Sequence, residues 1–273
     1  MTFSRTALSA AERQSLLDLA EALADVARPH TLSHFRTAAL GIDNKADGAA
    51  FDPVTAADRA SEAAIRAHLA THRPGDGILG EEFPPKPSDT GLTWIVDPID
   101  GTRGYLSGTP TWGVLIALAD ADGPFLGVID QPYIRERFVG GLGTARVTGP
   151  SGTAQLACRA PRPLSQAVLF TTFPEVGTPA EGAAFARVAA QAQLTRYGMD
   201  CYAYALVAAG QIDLVIEAGL NAYDIAAPLA VIEAAGGIVT DWTGGSAAAG
   251  GQVLAAANPQ IHAEALTLLN AGA

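Results

Sequence analysis

Basic residues are scarce in this chain: 17 Lys and Arg stand against 28 Asp and Glu, a formal net charge of −11. No basic patch offsets that balance locally, so neither nucleic acid nor an anionic membrane surface is expected as a partner. Cysteine is scarcer still. Cys158 and Cys201 lack metal-ligand spacing and are too few for a disulfide framework, which fits a reducing cytoplasm. No uninterrupted apolar run is long enough to span a bilayer, and the first residues lack the basic-then-apolar order of a signal peptide. A soluble, cytoplasmic protein is therefore expected. Internal repeats and long linkers are also missing. Charged residues make up only 16% against 49% hydrophobic, which excludes extensive disorder. At 273 residues the chain is long enough for one large domain or two small ones.

The most informative stretch is Trp94-Ile-Val-Asp-Pro-Ile-Asp-Gly-Thr102. The apolar run Trp94 to Val96 predicts a buried strand that ends on two carboxylates, Asp97 and Asp100, with Pro98 between them. Gly101 lets the backbone approach a ligand closely, and Thr102 falls in the first turn of a following helix, where peptide N–H groups can meet an anion. Carboxylates that suit a hard cation thus lie beside amides that suit a phosphate. A strand followed by a plain surface turn is the alternative. Metal-assisted phosphate chemistry fits better, because carboxylates alone would repel a phosphate and need a cation between them.

Before this stretch, Ser9 to Glu12 has the form of a capping box, and Leu16, Leu19, Leu23 and Val26 recur at helical spacing, with Pro29 expected just past the helix end. A second helical stretch is expected over His34 to Ala39, then a polar, turn-rich segment from Gly41 to Pro53 that carries Lys45. Thr55 to Asp58 opens a helix with Ile65 and Leu69 on its apolar face. Asp58 is then either the third-position partner of a Thr55 cap or a catalytic acid. Ile78 to Phe83 is a short apolar piece ending in paired acids, Glu81 and Glu82, one of which can face a site.

After it, Trp112 to Leu118, Phe125 to Asp130 and Arg137 to Val139 predict an antiparallel meander. Val168 to Thr171 predicts a strand; Pro179 to Leu194 and Cys201 to Ala209 predict helices. Ile212 to Ile216 is a strand ending on Glu217, a turn follows over Gly219 to Tyr223, and Asp224 precedes a helix that Gly236-Gly237 terminates. Asp224 reads locally as an N-cap, a role compatible with facing a ligand at the sheet's end. Gly244 to Gly251 reads as a surface loop between strands over Ile238 to Trp242 and Val253 to Ala257, and Asn258-Pro259 opens a final helix. Strands alternating with helices, plus an antiparallel run, indicate a layered α/β architecture.

Three separated motifs, Gly80-Glu-Glu82, Trp94 to Thr102, and Ala222-Tyr-Asp-Ile-Ala-Ala-Pro228 with Ala234-Ala-Gly-Gly237, resemble the inositol monophosphatase family of Mg²⁺-dependent phosphatases. The resemblance covers nearly the whole chain. It implies an αβαβα sandwich of the inositol monophosphatase / fructose-1,6-bisphosphatase type. It further implies a single compact domain over residues 1–273, with the site between sub-regions of about 1–150 and 151–273, and a homodimer. By matched position, Glu81 and Asp97 with the Ile99 carbonyl would hold one Mg²⁺, Asp97, Asp100 and Asp224 a second, and a third, looser ion would lie near Glu81. Gly101 and Thr102 would contact the phosphate, Thr102 and Asp58 would orient the attacking water, and the loop carrying Lys45 would close over the substrate. An all-oxygen donor set without Cys suits Mg²⁺.

The substrate implied is a small phosphate monoester. Asp43 to Asp58, Ser107 to Leu118 and Asp200 to Val207 look most like the histidinol-phosphate phosphatase branch, and Arg103-Gly-Tyr105 departs from the Asn-Phe common in inositol enzymes. Glu217 matches a residue that contacts the part of the substrate beyond the phosphate, where it would pair with an ammonium or accept from hydroxyls; a solvated strand end is its plainer reading. L-Histidinol phosphate is the expected ester and inositol 1-phosphate its rival. Fructose 1,6-bisphosphate, a nucleotide 3′,5′-bisphosphate and a non-catalytic binding module rank lower.

Overall fold

The computed structural model describes residues 5–37, 42–44 and 53–271. The chain runs α1 (Ala10–His34), β1 (Ile42–Asn44), β2 (Pro53–Thr55), α2 (Ala56–His72), β3 (Gly77–Gly80), β4 (Thr93–Asp100), α3 (Thr102–Ser107), β5 (Gly113–Asp120), β6 (Gly123–Gln131), β7 (Glu136–Gly141), β8 (Thr144–Gly149) and β9 (Gly152–Gln155). It continues through β10 (Val168–Thr171), α4 (Pro179–Ala189), β11 (Leu194–Tyr197), α5 (Asp200–Ala208), β12 (Leu214–Asn221), α6 (Ala222–Ala234), β13 (Ile238–Thr240), β14 (Gly250–Ala256) and α7 (Pro259–Asn270). Among the described residues β3 to β9 form one sheet in sequential order, and β11-β10-β12-β14-β13 form a second.

The layers follow from how each strand divides its side chains. Along β4 and β5, Trp94, Val96, Val114, Ile116 and Leu118 join a core with α1 and α2. Their neighbours Ile95, Leu115, Ala117 and Ala119 face the other way, into a core built with α5 and α6. Both faces of the sheet are covered, so its strands read as continuous apolar runs rather than alternating ones. The second sheet shares that middle core through Val215, Val253 and Ala255. Its other face, with Leu214, Ile216 and Leu254, packs on α4 and α7. The result is an αβαβα sandwich, as expected. At Gly127 an added Cβ would lie 2.4 Å from the Ala227 carbonyl oxygen, so α6 reaches this close to the sheet only over a glycine.

Five local expectations need correction. The first helix does not stop before Pro29 but runs through it to His34. Ala27 and Thr31 on either side are buried, and the Thr31 carbonyl accepts from the Tyr105 hydroxyl at 2.7 Å, so packing outweighs the lost backbone bond. No second helix opens at His34, which instead ends α1: Phe35 is extended and joins an aromatic cluster with Tyr105 and Trp112, and Arg36 takes a positive φ of 59°. Residues 38 and 39 lie outside the described part. The helix from Pro179 ends at Ala189, and Leu194 instead opens an edge strand paired with Val168. Finally, β12 continues through the expected turn to Asn221 by way of an irregularity between Glu217 and Leu220. Asn221 is therefore the N-cap of α6 and Asp224 its third residue, accepting from the Asn221 N–H at 2.6 Å. The meander is also longer than predicted, since the half-exposed β8 and fully exposed β9 lack the apolar runs that marked β5 to β7.

Candidate active site

Strand β4 delivers its two carboxylates differently. Asp97 is 2% exposed, and its Oδ1 accepts from the Ile99 N–H at 3.0 Å, which shapes the turn before the helix. The pairing of β4 with β5 slips between Asp97 and Asp100, so both acids emerge at the same end of the sheet instead of alternating in regular register. Gly101 then adopts φ +84°, and α3 begins at Thr102, whose hydroxyl donates to the Ile99 carbonyl at 3.2 Å. The first peptide N–H groups of such a helix have no partner within it.

The second half of the chain supplies the remaining acid. Asp97, Asp100 and Asp224 each offer a carboxylate oxygen within 4.8 Å of the others. Burial pushes the Asp97 carboxyl well above the usual carboxylate range, and the negative charges of Glu81, Asp100, Asp224 and Asp58 push it further. Asp100 is raised by burial and then by Asp200 and Asp224, against the opposing hydrogen bond from Cys201. For Asp224 burial dominates, and its carboxyl is pushed up to about 7. Buried like charges this close are costly unless a cation sits among them. The donor set is all oxygen, and the residues present fit a hard divalent metal.

These acids line a cavity of about 320 Å³. Glu81, just beyond the end of β3, lies on its wall, as do Ile99, Gly101, Thr102 and Glu217. Asp58, in the first turn of α2 and 2% exposed, acts on Asp97 through its charge. The structure thus brings together every sequence-derived candidate except Lys45, which lies outside the described residues, as does the side chain of Thr55. Glu217 is no solvated strand end. It is 6% exposed and accepts from the Thr172 N–H at 2.9 Å, from the Thr172 hydroxyl, and from the Tyr204 hydroxyl at 2.7 Å.

A family model described as the inositol monophosphatase family matches residues 12–271. The chain belongs to the inositol monophosphatase family. Membership makes it a phosphoric monoester hydrolase by class. The histidinol-phosphatase of Mycobacterium tuberculosis is 38% identical over 94% of this chain and 98% of its own length. The chloroplastic bifunctional phosphatase IMPL2 of Arabidopsis thaliana is 39% identical over 97% of this chain and 78% of its own. Among solved structures, an inositol monophosphatase from Zymomonas mobilis has 38% identity and a TM-score of 0.83, covering 96% of this chain and 99% of that one.

Sequence reasoning assigned no individual role to several residues that this family member places in the cavity: Thr172, Phe173, Asp200 and Tyr204. Asp200 reads as an ordinary helix-start acid, yet it holds a positive φ of 47° and packs directly against Gly101. A signal was available, because Asp200 and Tyr204 stand four apart on an Ala-rich helix and so share a face. On the cavity wall the Arg103 guanidinium lies 4.8 Å from the centre of the Phe173 ring, joining the start of α3 to the segment that follows β10. No helix of the described residues is long and apolar enough to cross a membrane.

Proposed function

We propose that this phosphatase hydrolyses L-histidinol phosphate to L-histidinol and phosphate with Mg²⁺ as cofactor. The observation that carries the metal-dependent chemistry is the convergence of Asp97, Asp100 and Asp224 beside the Gly101-Thr102 turn, in a cavity that Glu217, outside that group of three, also lines. Glu81, Asp97, the Ile99 carbonyl, Asp100 and Asp224 would hold two Mg²⁺ ions, with a third near Glu81. When bound, such ions neutralise phosphate charge, lower the pKa of water and stabilise the leaving alkoxide. The chain's own residues do the rest. Gly101 and Thr102 orient the phosphate through peptide N–H groups. Thr102 and Asp58 would hold the attacking water, Lys45 would contact the substrate, and Glu217 would engage the alcohol part. No nucleophilic side chain is required, in keeping with two cysteines that burial holds protonated, Cys158 at about 11 and Cys201 well above its usual range.

Support for histidinol phosphate over other esters comes from the relatives bearing that name and from the segment containing Asp200. The rival is inositol 1-phosphate, favoured by the likeness to the Zymomonas mobilis inositol monophosphatase. Steady-state kinetics of the purified protein with Mg²⁺ on both esters separates them: a higher kcat/KM for histidinol phosphate is expected, and a markedly higher value for inositol 1-phosphate overturns the assignment. The same reading takes the protein as a cytoplasmic homodimer, each chain a single domain whose halves, about 1–150 and 151–273, flank the site.

A further inference from the structure

We infer that Glu62 is a positioning residue for the metal site: together with Arg66 it clamps the chain just past Glu81 and so fixes where the Glu81 carboxylate stands in the cavity. Glu81 enters here as the metal ligand of the proposed function, on which this assignment rests.

The sheet releases the chain one residue before Glu81. Gly80, opposite Val96, is the last residue of β3 in register with β4, and Glu81 to Phe83 follow as a bend. A ligand on such a segment is placed only as well as its backbone is held.

Helix α2 supplies the hold. Glu62 is fully buried, and its Oε2 accepts at 2.7 Å from the Glu82 N–H, the peptide that directly follows Glu81. Its Oε1 accepts from Arg66 Nε at 2.7 Å, and Arg66 Nη2 donates in turn to the Phe83 carbonyl at 3.1 Å. Two side chains one helical turn apart thus grip the bend at an N–H and at a C=O. At Gly80 an added Cβ would fall on the Glu62 carboxylate, so the acid reaches the bend only because the strand ends on a glycine.

Stability alone gives a weak reason for this pair. A buried ion pair is costly to desolvate, and apolar residues of similar volume often serve as well or better. Apolar side chains cannot hold the Glu82 N–H and the Phe83 carbonyl. The same helix also carries Asp58 one turn before Glu62, on the same face. Asp58, proposed to hold the attacking water, and Glu81, proposed to hold the metal, are therefore set against each other by one rigid element.

The test is Mn²⁺ binding followed by electron paramagnetic resonance, with the Mg²⁺ dependence of turnover, on Glu62→Gln and Arg66→Met. A glutamine has one acceptor oxygen where the carboxylate has two, so either the Glu82 N–H or Arg66 loses its partner. In Glu62→Gln the Mn²⁺ dissociation constant and the half-saturating Mg²⁺ concentration are expected to rise about 10- to 100-fold, with KM for the ester at saturating Mg²⁺ changing far less. Arg66→Met should move both in the same direction. Simple attraction predicts otherwise, since losing a negative charge weakens cation binding and losing a positive one strengthens it. Opposite shifts in the two variants would make Glu62 a distant charge only and overturn the assignment. Should Glu62→Gln fail to fold, Arg66→Met decides alone: weaker binding supports the clamp, and unchanged or tighter binding overturns it.

Arg187→Ala is the control, because Arg187 ties α4 to α7 through the Leu268 and Leu269 carbonyls, in the layer farthest from α2. It is expected to lower the melting temperature with metal affinity unchanged; a shift as large as that of Glu62→Gln would overturn the assignment. If wild type binds Mn²⁺ and the Glu62 and Arg66 variants merely melt earlier, the assignment is wrong and the metal-dependent function stands. If wild type neither binds Mn²⁺ nor needs Mg²⁺, the metal reading itself fails and this assignment fails with it.

Discussion

The backbone N–H of Cys201 donates to Asp100 Oδ2 at 2.6 Å, across 101 positions of sequence. Asp100 stands at the end of β4 in the first sheet, while Cys201 lies in the first turn of α5, which packs on the second. One carboxylate of the acidic cluster is therefore oriented by the opposite half of the chain, and the relative placement of the two sheets becomes part of the site's geometry.

That contact depends on how closely α5 approaches the turn after Asp100. A Cβ on Gly101 would lie 2.8 Å from the Asp200 Cβ and Cγ, and Gly101 also holds φ +84°. Gly101→Ala should therefore displace α5 from Asp100. Urea denaturation is expected to show a loss of about 1–3 kcal/mol, with phosphate release reduced far beyond what that loss explains. Wild-type turnover in a folded Gly101→Ala protein would show that the close approach is dispensable.

Metal-free protein should become less stable as pH rises. Asp224 titrates at about 7 in the folded chain against 3.8 ordinarily, so between those values the folded state binds more protons than the unfolded one. Stability is then highest near pH 4 on this account and falls up to about pH 7. Asp97 and Asp100 shift in the same direction. Melting temperatures across this range in chelator should decline, and excess Mg²⁺ should flatten or reverse the decline.

Asp97→Asn removes the most buried charge of the cluster while keeping its shape. Turnover should vanish, because Asp97 is the ligand proposed to bridge both ions. In chelator the variant should melt above wild type, since like-charge repulsion is relieved, and it should lose most of the Mg²⁺-induced rise. Calorimetry with and without Mg²⁺ checks both halves.

Tyr204→Phe deletes one of three donors to a buried carboxylate. About 1–3 kcal/mol of stability should be lost, the ordinary consequence of leaving such an acceptor short. Because Tyr204 acts through Glu217, KM for histidinol phosphate should rise more than kcat falls. An equal drop in both esters' kcat with unchanged KM would place Tyr204 elsewhere in the reaction.

Much of this was legible before any coordinates. Asp97, Asp100 and Gly101 announce themselves because a buried strand breaking into Asp-Pro-Ile-Asp-Gly has few other uses, and Glu81, Asp58, Glu217 and Asp224 follow from matched motifs. Local pattern erred where tertiary contacts override it. Pro29 sits inside a helix because packing on both sides of it compensates, and Leu194 leaves a helix-like Ala-rich run because Val168 offers a strand to pair with. Asp224 reads locally as a cap, since a β12 irregularity that carries the strand on from Glu217 to Asn221 leaves no trace in composition. Asp200 and Tyr204 went without individual roles for a related reason: a polar group on an apolar helix face carries meaning only once the opposing surface is known.

The most direct test is diffraction from crystals grown with Mn²⁺ and phosphate, with data collected near the manganese edge. Anomalous peaks enclosed by Asp97, Asp100 and Asp224, with the phosphate against Gly101 and Thr102, are the predicted result. Phosphate bound elsewhere and no anomalous density among those three carboxylates, in protein that still hydrolyses the ester, would contradict it.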